Sequence, residues 1–199
     1  GFKEKIVEVS LRQVTKDNYE EVCELDVSKE QEEYVACNMW SLVESMFNEG
    51  FETRAIYFEN KPVGFFMWVH ESLTKISIWR FMIDHKHQQR GIGRIALELA
   101  ITEVKQLANL KEIEICYNPK NTVTKEFYVS FGFVGVGMDE ESQSKLFRLE
   151  CNHSTLGTAN EKGTGLGLTI VSTIAEQHGG NLTFEKSKTG IKAKLMIKR

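Results

Sequence analysis

The residues whose types and spacing point most directly to chemistry are Gln88-Gln89-Arg90-Gly91-Ile92-Gly93. They lie between the apolar run Ile76–Ile83 (ISIWRFMI) and the helix-forming run Arg94–Ala108. Glycine lets the chain turn tightly and approach a ligand, and a helix opening there presents unpaired N–H groups at its positive end. Such a turn suits a pyrophosphate, although an ordinary strand-to-helix connection uses the same residues. No metal is expected. His85 and His87 form a pair, but no carboxylate or cysteine at ligand spacing completes a set around them. Cys23, Cys37, Cys116 and Cys151 contain no C-x-x-C pair and read as reduced, structural thiols.

These residues need a frame, and the pattern along the chain supplies one. Val7, Val9 and Leu11 alternate as a half-buried strand. An acidic helical segment, 18–25, follows the start signal Thr15-Lys16-Asp17. Ser28 then reads as the cap of a longer helix with Val35, Met39, Leu42 and Met46 on one face, ended by Gly50. Strands are predicted over 54–59, 63–70 and 75–83. The helix after the glycine turn carries Ile92, Ile95, Ala96, Leu99, Ala100, Val104 and Leu107, an apolar stripe suited to a sheet. Strand 112–116, a short helix 121–131 ended by Gly132, and strands 133–136 and 145–149 follow. The pattern predicts an α/β (α+β) domain with a mostly antiparallel, twisted sheet flanked by helices. From about Cys151 the composition turns to Asn, Ser, Thr and Gly, so a boundary is placed near 150: one domain over 1–150, then 151–199. The second segment reads as a linker, a helix over 168–177 and a two-strand extension.

Composition narrows the function classes. The 199 residues are 41% hydrophobic and 27% charged, which is enough apolar content for a real core. A net charge of −3 with interspersed signs argues against a nucleic-acid or membrane partner. No apolar run approaches membrane-spanning length, and the first residues lack a signal-peptide core, so a cytoplasmic protein is expected.

Residues 5–150 resemble the GNAT superfamily of acetyl-CoA-dependent N-acetyltransferases. The resemblance rests on the strand WRFMID, the turn QQRGIG, the strand EIEICYNPKN and the helix end FYVSFGF. Within that superfamily EYVACNMWSLVESMF, GFFMW and WRFMID are similar to bacterial spermine/spermidine acetyltransferases. The resemblance implies that Gln88, Gln89, Arg90, Gly91, Ile92, Gly93 and Arg94 cradle the CoA pyrophosphate. Arg90 and Arg94 would add charge there or simply line a solvated helix face. It also implies that Met82 and Ile83 pair their backbones with the pantetheine arm where two strands splay apart, and that Asn121 and Lys125 touch the same molecule. Tyr128, four residues before Gly132, matches a tyrosine that many members keep near the departing sulfur. A phenol with a pKa of about 10 can protonate a thiolate; the other reading of Tyr128 is packing against Phe127 and Phe131.

The acceptor is harder to read. A primary ammonium with a pKa of about 10.4 is free amine in only about one molecule in 2,500 at pH 7, a cost of ~4.6 kcal/mol. Some members place a glutamate on the central strand as base, but Trp79 and Arg80 occupy that neighbourhood here. Deprotonation is therefore expected through water or a carboxylate from the first helices, with direct attack of the amine. Cys116 reads as a core thiol rather than an acyl carrier. Carboxylates suited to a polycation are Glu30, Glu33 and Asp84, with Glu24, Asp26 and Glu71 nearby; a solvated helix face is the other reading for each. Trp40 and Trp79 would pack in the core or stack on an alkylammonium.

Residues 161–197 resemble something else. EKGTGLGLTIVSTIAEQHGGNLTFE is similar to the end of the ATP-binding domain of sensor histidine kinases, where GTGLGL forms part of the ATP lid. The asparagine-bearing helix, the D-x-G-x-G loop and the phosphoacceptor helix have no counterpart, so kinase activity is not expected. The segment is expected to pack on the first domain or pair with another chain, and edge pairing of its strands would give a homodimer. Three functions follow: acetyl transfer to spermidine or spermine, acetyl transfer to another small amine or a protein amine, or a non-catalytic CoA-binding module that contacts a histidine kinase.

Overall fold

The computed structural model describes residues 5–118, 120–139, 144–151, 181–187 and 190–197. The elements are β1 (Lys5–Arg12), α1 (Tyr19–Glu24), α2 (Asn38–Phe47), β2 (Phe51–Phe58), β3 (Lys61–His70), β4 (Lys75–Ile83), α3 (Ile92–Val104), β5 (Glu112–Tyr117), α4 (Thr122–Val129), β6 (Val134–Asp139), β7 (Ser144–Glu150), β8 (Asn181–Ser187) and β9 (Gly190–Ile197). The predicted helix 168–177, the linker before it and the GTGLGL segment lie outside the described residues.

One sheet runs β6-β7-β5-β4-β3-β2-β1-β9-β8. Every neighbouring pair is antiparallel except β4 and β5, which are parallel and therefore need a crossover, supplied by α3. β3 shows why the sheet sits in the middle. Its residues Val63–Val69 are all buried, a continuous apolar run of the kind a strand covered on both faces requires. Phe66 and Trp68 point into the larger core under α3 and α4, and Phe65 and Met67 into a smaller one under α1 and α2.

α3 buries Ile92, Ile95, Ala96, Leu97, Leu99, Ala100, Ile101 and Val104, so nearly its whole circumference is covered. The last two strands join the same sheet: β9 lies antiparallel to β1 with Lys5 opposite Ile197 and Ser10 opposite Lys192, and β8 takes the outer position. No helix among the described residues is long and apolar enough to cross a membrane.

The second helix departs from expectation. It begins at Asn38, not Ser28; residues 29–34 form successive turns instead. Cys37 at the N-cap position is extended (ψ 149°), which breaks the helical phase between Val35 and the rest. The expected apolar face is therefore divided. Leu42 and Val35 pack on the smaller core, whereas Met39 and Met46 are exposed.

Candidate active site

The site begins where the parallel pair separates. β4 and β5 are in register from Lys75–Glu112 to Ile78–Ile115 and no further. Beyond that, β5 stays with β7 through Cys116 and Tyr117, while β4 continues along β3 to Ile83. Trp79 is the extra residue of a bulge at that point, because Ile78 faces Trp68 and Arg80 faces Met67. A bulge bends its strand and increases the local twist, and this one turns β4 away from β5. The result is a fork whose β4 prong is Trp79–Ile83. Gly64, opposite Ile83, lets β3 follow the bent prong: a Cβ there would lie 2.5 Å from the Met82 carbonyl oxygen.

The prong leads into the glycine turn. Asp84 caps a short 3-10 turn, His85–His87, and accepts from the amides of Lys86 (3.0 Å) and Asp26 (3.2 Å). Burial pushes its carboxyl up, but those two amides, with His85 and His87 beside it, outweigh burial and hold it below the ordinary range. Gln88 donates to the Ile83 carbonyl (2.9 Å) and to Gln31 (2.8 Å), which ties the turn to the strand end and to the segment before α2. Gln89 and Gly91 then adopt positive φ, 58° and 78°. Gly91 is the N-cap of α3, and a Cβ on it would meet nothing within 4 Å. Alternation of this kind turns successive N–H groups toward one concavity. α3's first internal bond is Ile95 N–H to Gly91, so the amides of Ile92, Gly93 and Arg94 have no helical acceptor. Arg94 lies over the rings of Phe131 (5.0 Å) and Phe127 (5.6 Å), and its Nη1 is buried without a hydrogen-bond partner among the described residues. Arg90 turns instead over Phe58. The side chains of Met82 and Ile83 are buried in the two opposite cores, so it is their backbone that is offered to the fork.

α4 follows the other prong. Asn121 precedes it as N-cap but makes no side-chain capping bond, and Lys125 is exposed. Tyr128 is buried, edge-on to Phe127 (5.4 Å) and Phe133 (5.8 Å), and burial pushes its phenol well above the ordinary tyrosine value. Both readings of Tyr128 are compatible with this placement. It packs in an aromatic cluster, and its proton is held tightly enough to be present at any physiological pH.

On the opposite face, β4 meets a cavity of about 280 Å³ lined by Met82 and by Leu25, Asp26, Val27, Glu32, Val35, Ala36, Cys37 and Asn38. Asp26 and Glu32 bring the carboxylates. Glu30 and Glu33 are exposed and do not line it; Glu30 is held below the ordinary carboxylate range by its own amide and the Ser28 hydroxyl. Asp84 is buried and occupied as described. Arg80 is engaged by Ser41 (3.2 Å) and Glu44 (3.5 Å), so β4 presents no free acid or base at that position. Trp40 and Trp79 are exposed, not in the core. Among the described residues no three His, Cys, Asp or Glu side chains cluster as a metal site would require. The bulge at Trp79, the role of Gly64 and the Gln31–Gln88 tie escaped the sequence, as did the placing of Asp26 and Glu32 on one cavity. Only Gly64 gave a signal, as a glycine inside a buried strand.

Comparison with known proteins agrees with this fold. The sequence model of the acetyltransferase (GNAT) family matches residues 18–133. The spermine/spermidine N(1)-acetyltransferase of Bacillus subtilis is 26% identical over 132 residues, 63% of this chain and 87% of that protein. The solved structure of spermidine N-acetyltransferase from Vibrio cholerae, in complex with CoA and spermine, superposes with a TM-score of 0.58 at 15% identity, covering 72% of this chain and 94% of that one. Residues 87–198 also match the family of histidine kinase-, DNA gyrase B- and HSP90-like ATPases. Nitrogen regulation protein NtrY of Azorhizobium caulinodans is 34% identical over 70 residues, 35% of this chain but 8% of that protein. The two family matches overlap over 87–133, where the described elements α3, β5 and α4 enclose the fork.

Proposed function

The chain belongs to the acetyltransferase (GNAT) family, with a C-terminal segment of the histidine kinase-like ATPase family, and we propose that it transfers acetyl from acetyl-CoA to a primary amine of spermidine or spermine. Residues 1–150 would be the catalytic domain and 151–199 an appended segment. The observation that carries the reading is the fork between β4 and β5, with an amide-lined turn at its mouth and an acid-lined cavity against the same strand.

In this reading the pyrophosphate lies on the amides of Gln89, Arg90, Gly91, Ile92, Gly93 and Arg94, in the space where a Gly91 side chain would project. Helix α3 adds the positive end of its dipole, and Arg94 Nη1 gains the partner it lacks. Gln88 acts by fixing the turn. The pantetheine arm hydrogen-bonds along the backbone of Met82 and Ile83 as a missing strand would, and Asn121 and Lys125 reach it from α4. Asp26 and Glu32 hold the distal ammonium of the polyamine, and Glu30, Glu33 and Asp84 add to the negative field that draws it in.

The attacking nitrogen must be neutral. Its proton leaves through water to solvent, since β4 offers no base. The nitrogen lone pair forms the C–N bond, the C–S bond breaks, and the leaving thiolate takes its proton from Tyr128, which recovers one from solvent.

The test is thiol release from acetyl-CoA with spermidine, spermine and a panel of monoamines. Polyamines should be turned over preferentially, and Asp26→Asn with Glu32→Gln should raise the polyamine KM on the order of tenfold while the acetyl-CoA KM holds. Equal turnover of simple monoamines, or an unchanged polyamine KM in the double variant, would remove the polyamine.

A further inference from the structure

Helix α2 has its polarity reversed for a surface helix. Its buried residues are Asn38 and Ser41. Asn38 Nδ2 donates to the Val22 carbonyl (2.8 Å), and Ser41 accepts from Arg80. The helix's one charged side chain, Glu44, also turns to Arg80. The outer side carries Met39, Trp40, Val43, Met46 and Phe47, which are 61%, 63%, 43%, 78% and 83% exposed. At about 100° per residue these five occupy an arc of roughly 120°. With about 200 Å² for each side chain, the uncovered area is on the order of 600 Å². That is the upper end of a patch on a monomer and three quarters of the ~800 Å² each partner gives to a standard interface.

The order of these residues says what covers them. Met39 and Trp40 stand four and three residues before Val43; Met46 and Phe47 stand three and four after it. A two-fold axis at Val43 that sets two copies of the helix antiparallel places Met39 against Phe47 and Met46 of the second copy and Trp40 against its Phe47. Met39 with Phe47 is a thioether–aromatic contact and Trp40 with Phe47 an aromatic pair, both favourable. Val43, the smallest of the five, falls where the helix axes approach most closely. No charge lies in the arc, so like meets like without repulsion, as an isologous contact requires. A lipid surface fits poorly, because residues 17–33 beside α2 hold eight carboxylates and one lysine. The geometry points to a homodimer formed through α2, with Val43 at its axis.

The test is sedimentation velocity on the full chain and on two variants, Met39→Glu and Phe47→Lys. Wild type should sediment as a dimer at micromolar concentration. Each variant alone buries two unpaired charges and should dissociate at least a hundredfold more readily. Mixed in equal amounts they should re-form a dimer, since the antiparallel register places the new glutamate against the new lysine once and leaves the other Met–Phe pair intact. Thiol release from acetyl-CoA by each variant reports that it is folded. A monomeric wild type overturns the inference. So does a dimer that survives both substitutions, as edge pairing through β8 would give, or a mixture that stays monomeric.

Discussion

Replacing Gly91 by alanine tests the anion cradle with the least collateral change. The residue sits at φ 78° and ψ −4°, and an added Cβ meets no protein atom within 4 Å. The only cost inside the protein is the left-handed backbone, about 1–2 kcal/mol for a residue with a side chain. If the turn keeps its shape, that amount is lost from unfolding stability, a fall in Tm of about 2–8 °C for a chain of this size. If the turn relaxes, stability is spared and the same amount reappears as weaker CoA binding, about 5- to 30-fold in Kd. The sum of the two losses is therefore at least ~1 kcal/mol however it divides. Binding should lose more, because the new methyl projects into the space assigned to the pyrophosphate. Chemical denaturation and titration calorimetry with CoA, run on the same variant, measure both terms. Gly93→Ala is the control: its Cβ lies at an ordinary 3.5 Å from Ile83, φ is not positive, and the position is helical, so stability should hold or rise. A Gly91→Ala protein that binds CoA with an unchanged Kd would refute the cradle.

Tyr128→Phe keeps the ring against Phe127 and Phe133 and removes the proton, so kcat should fall on the order of tenfold or more with Tm and CoA affinity unchanged; an unchanged kcat would take Tyr128 out of the reaction. Because burial holds the phenol above its ordinary pKa, kcat should show no loss from Tyr128 ionisation as pH rises toward 10, and an alkaline limb that Tyr128→Phe abolishes would contradict this. Gly64→Ala drives a methyl to 2.5 Å from the Met82 carbonyl and should cost about 1–3 kcal/mol in denaturant unfolding; full stability would mean that β4's bent prong yields freely. Burial pushes the Glu114 carboxyl up, but hydrogen bonds and charge from Lys75 (2.6 Å) and Arg148 (2.6 Å) more than reverse this and hold it below its ordinary value. Its contribution is therefore complete above about pH 4.3 and is lost as pH falls below that value. Glu114→Gln should flatten that acid limb of stability, and an unaltered limb would show that the ion pairs contribute nothing.

The strands and α3 were legible because each carries one strong period. Lys75–Ile83 was bounded correctly from its apolar run, and the glycine turn from residue type alone. α2 was misplaced because a run of helix-forming residues, 28–47, conceals the extended Cys37, which nothing local marks as a break. Its outward Met and Trp read as core for the same reason, since periodicity reports an apolar face without saying what covers it. At the acid-lined cavity, sequence found the acidic segment but not which members line it. Asp26 and Glu32 are six residues apart in an irregular stretch with no fixed period, and only the path of the chain around Met82 brings them to one cavity. The bulge at Trp79 was invisible because it is a property of register with β3, not of the strand's own residues.

The fork also has a mechanical meaning. The sheet is two plates: β6, β7 and β5 on one side, and the six strands from β4 to β8 on the other. Among the described residues, only the pairs from Lys75–Glu112 to Ile78–Ile115 join them within the sheet, at one end of the seam. Such a seam is a door hinge with its pins at the edge, and the distance between the free ends is set by rotation about it. Lys75–Glu114–Arg148 spans β4, β5 and β7 at those pins. A molecule that hydrogen-bonds the β4 prong while touching α4 is a wedge between the plates. It should slow their relative motion far beyond its own footprint, out to β6 at the opposite margin.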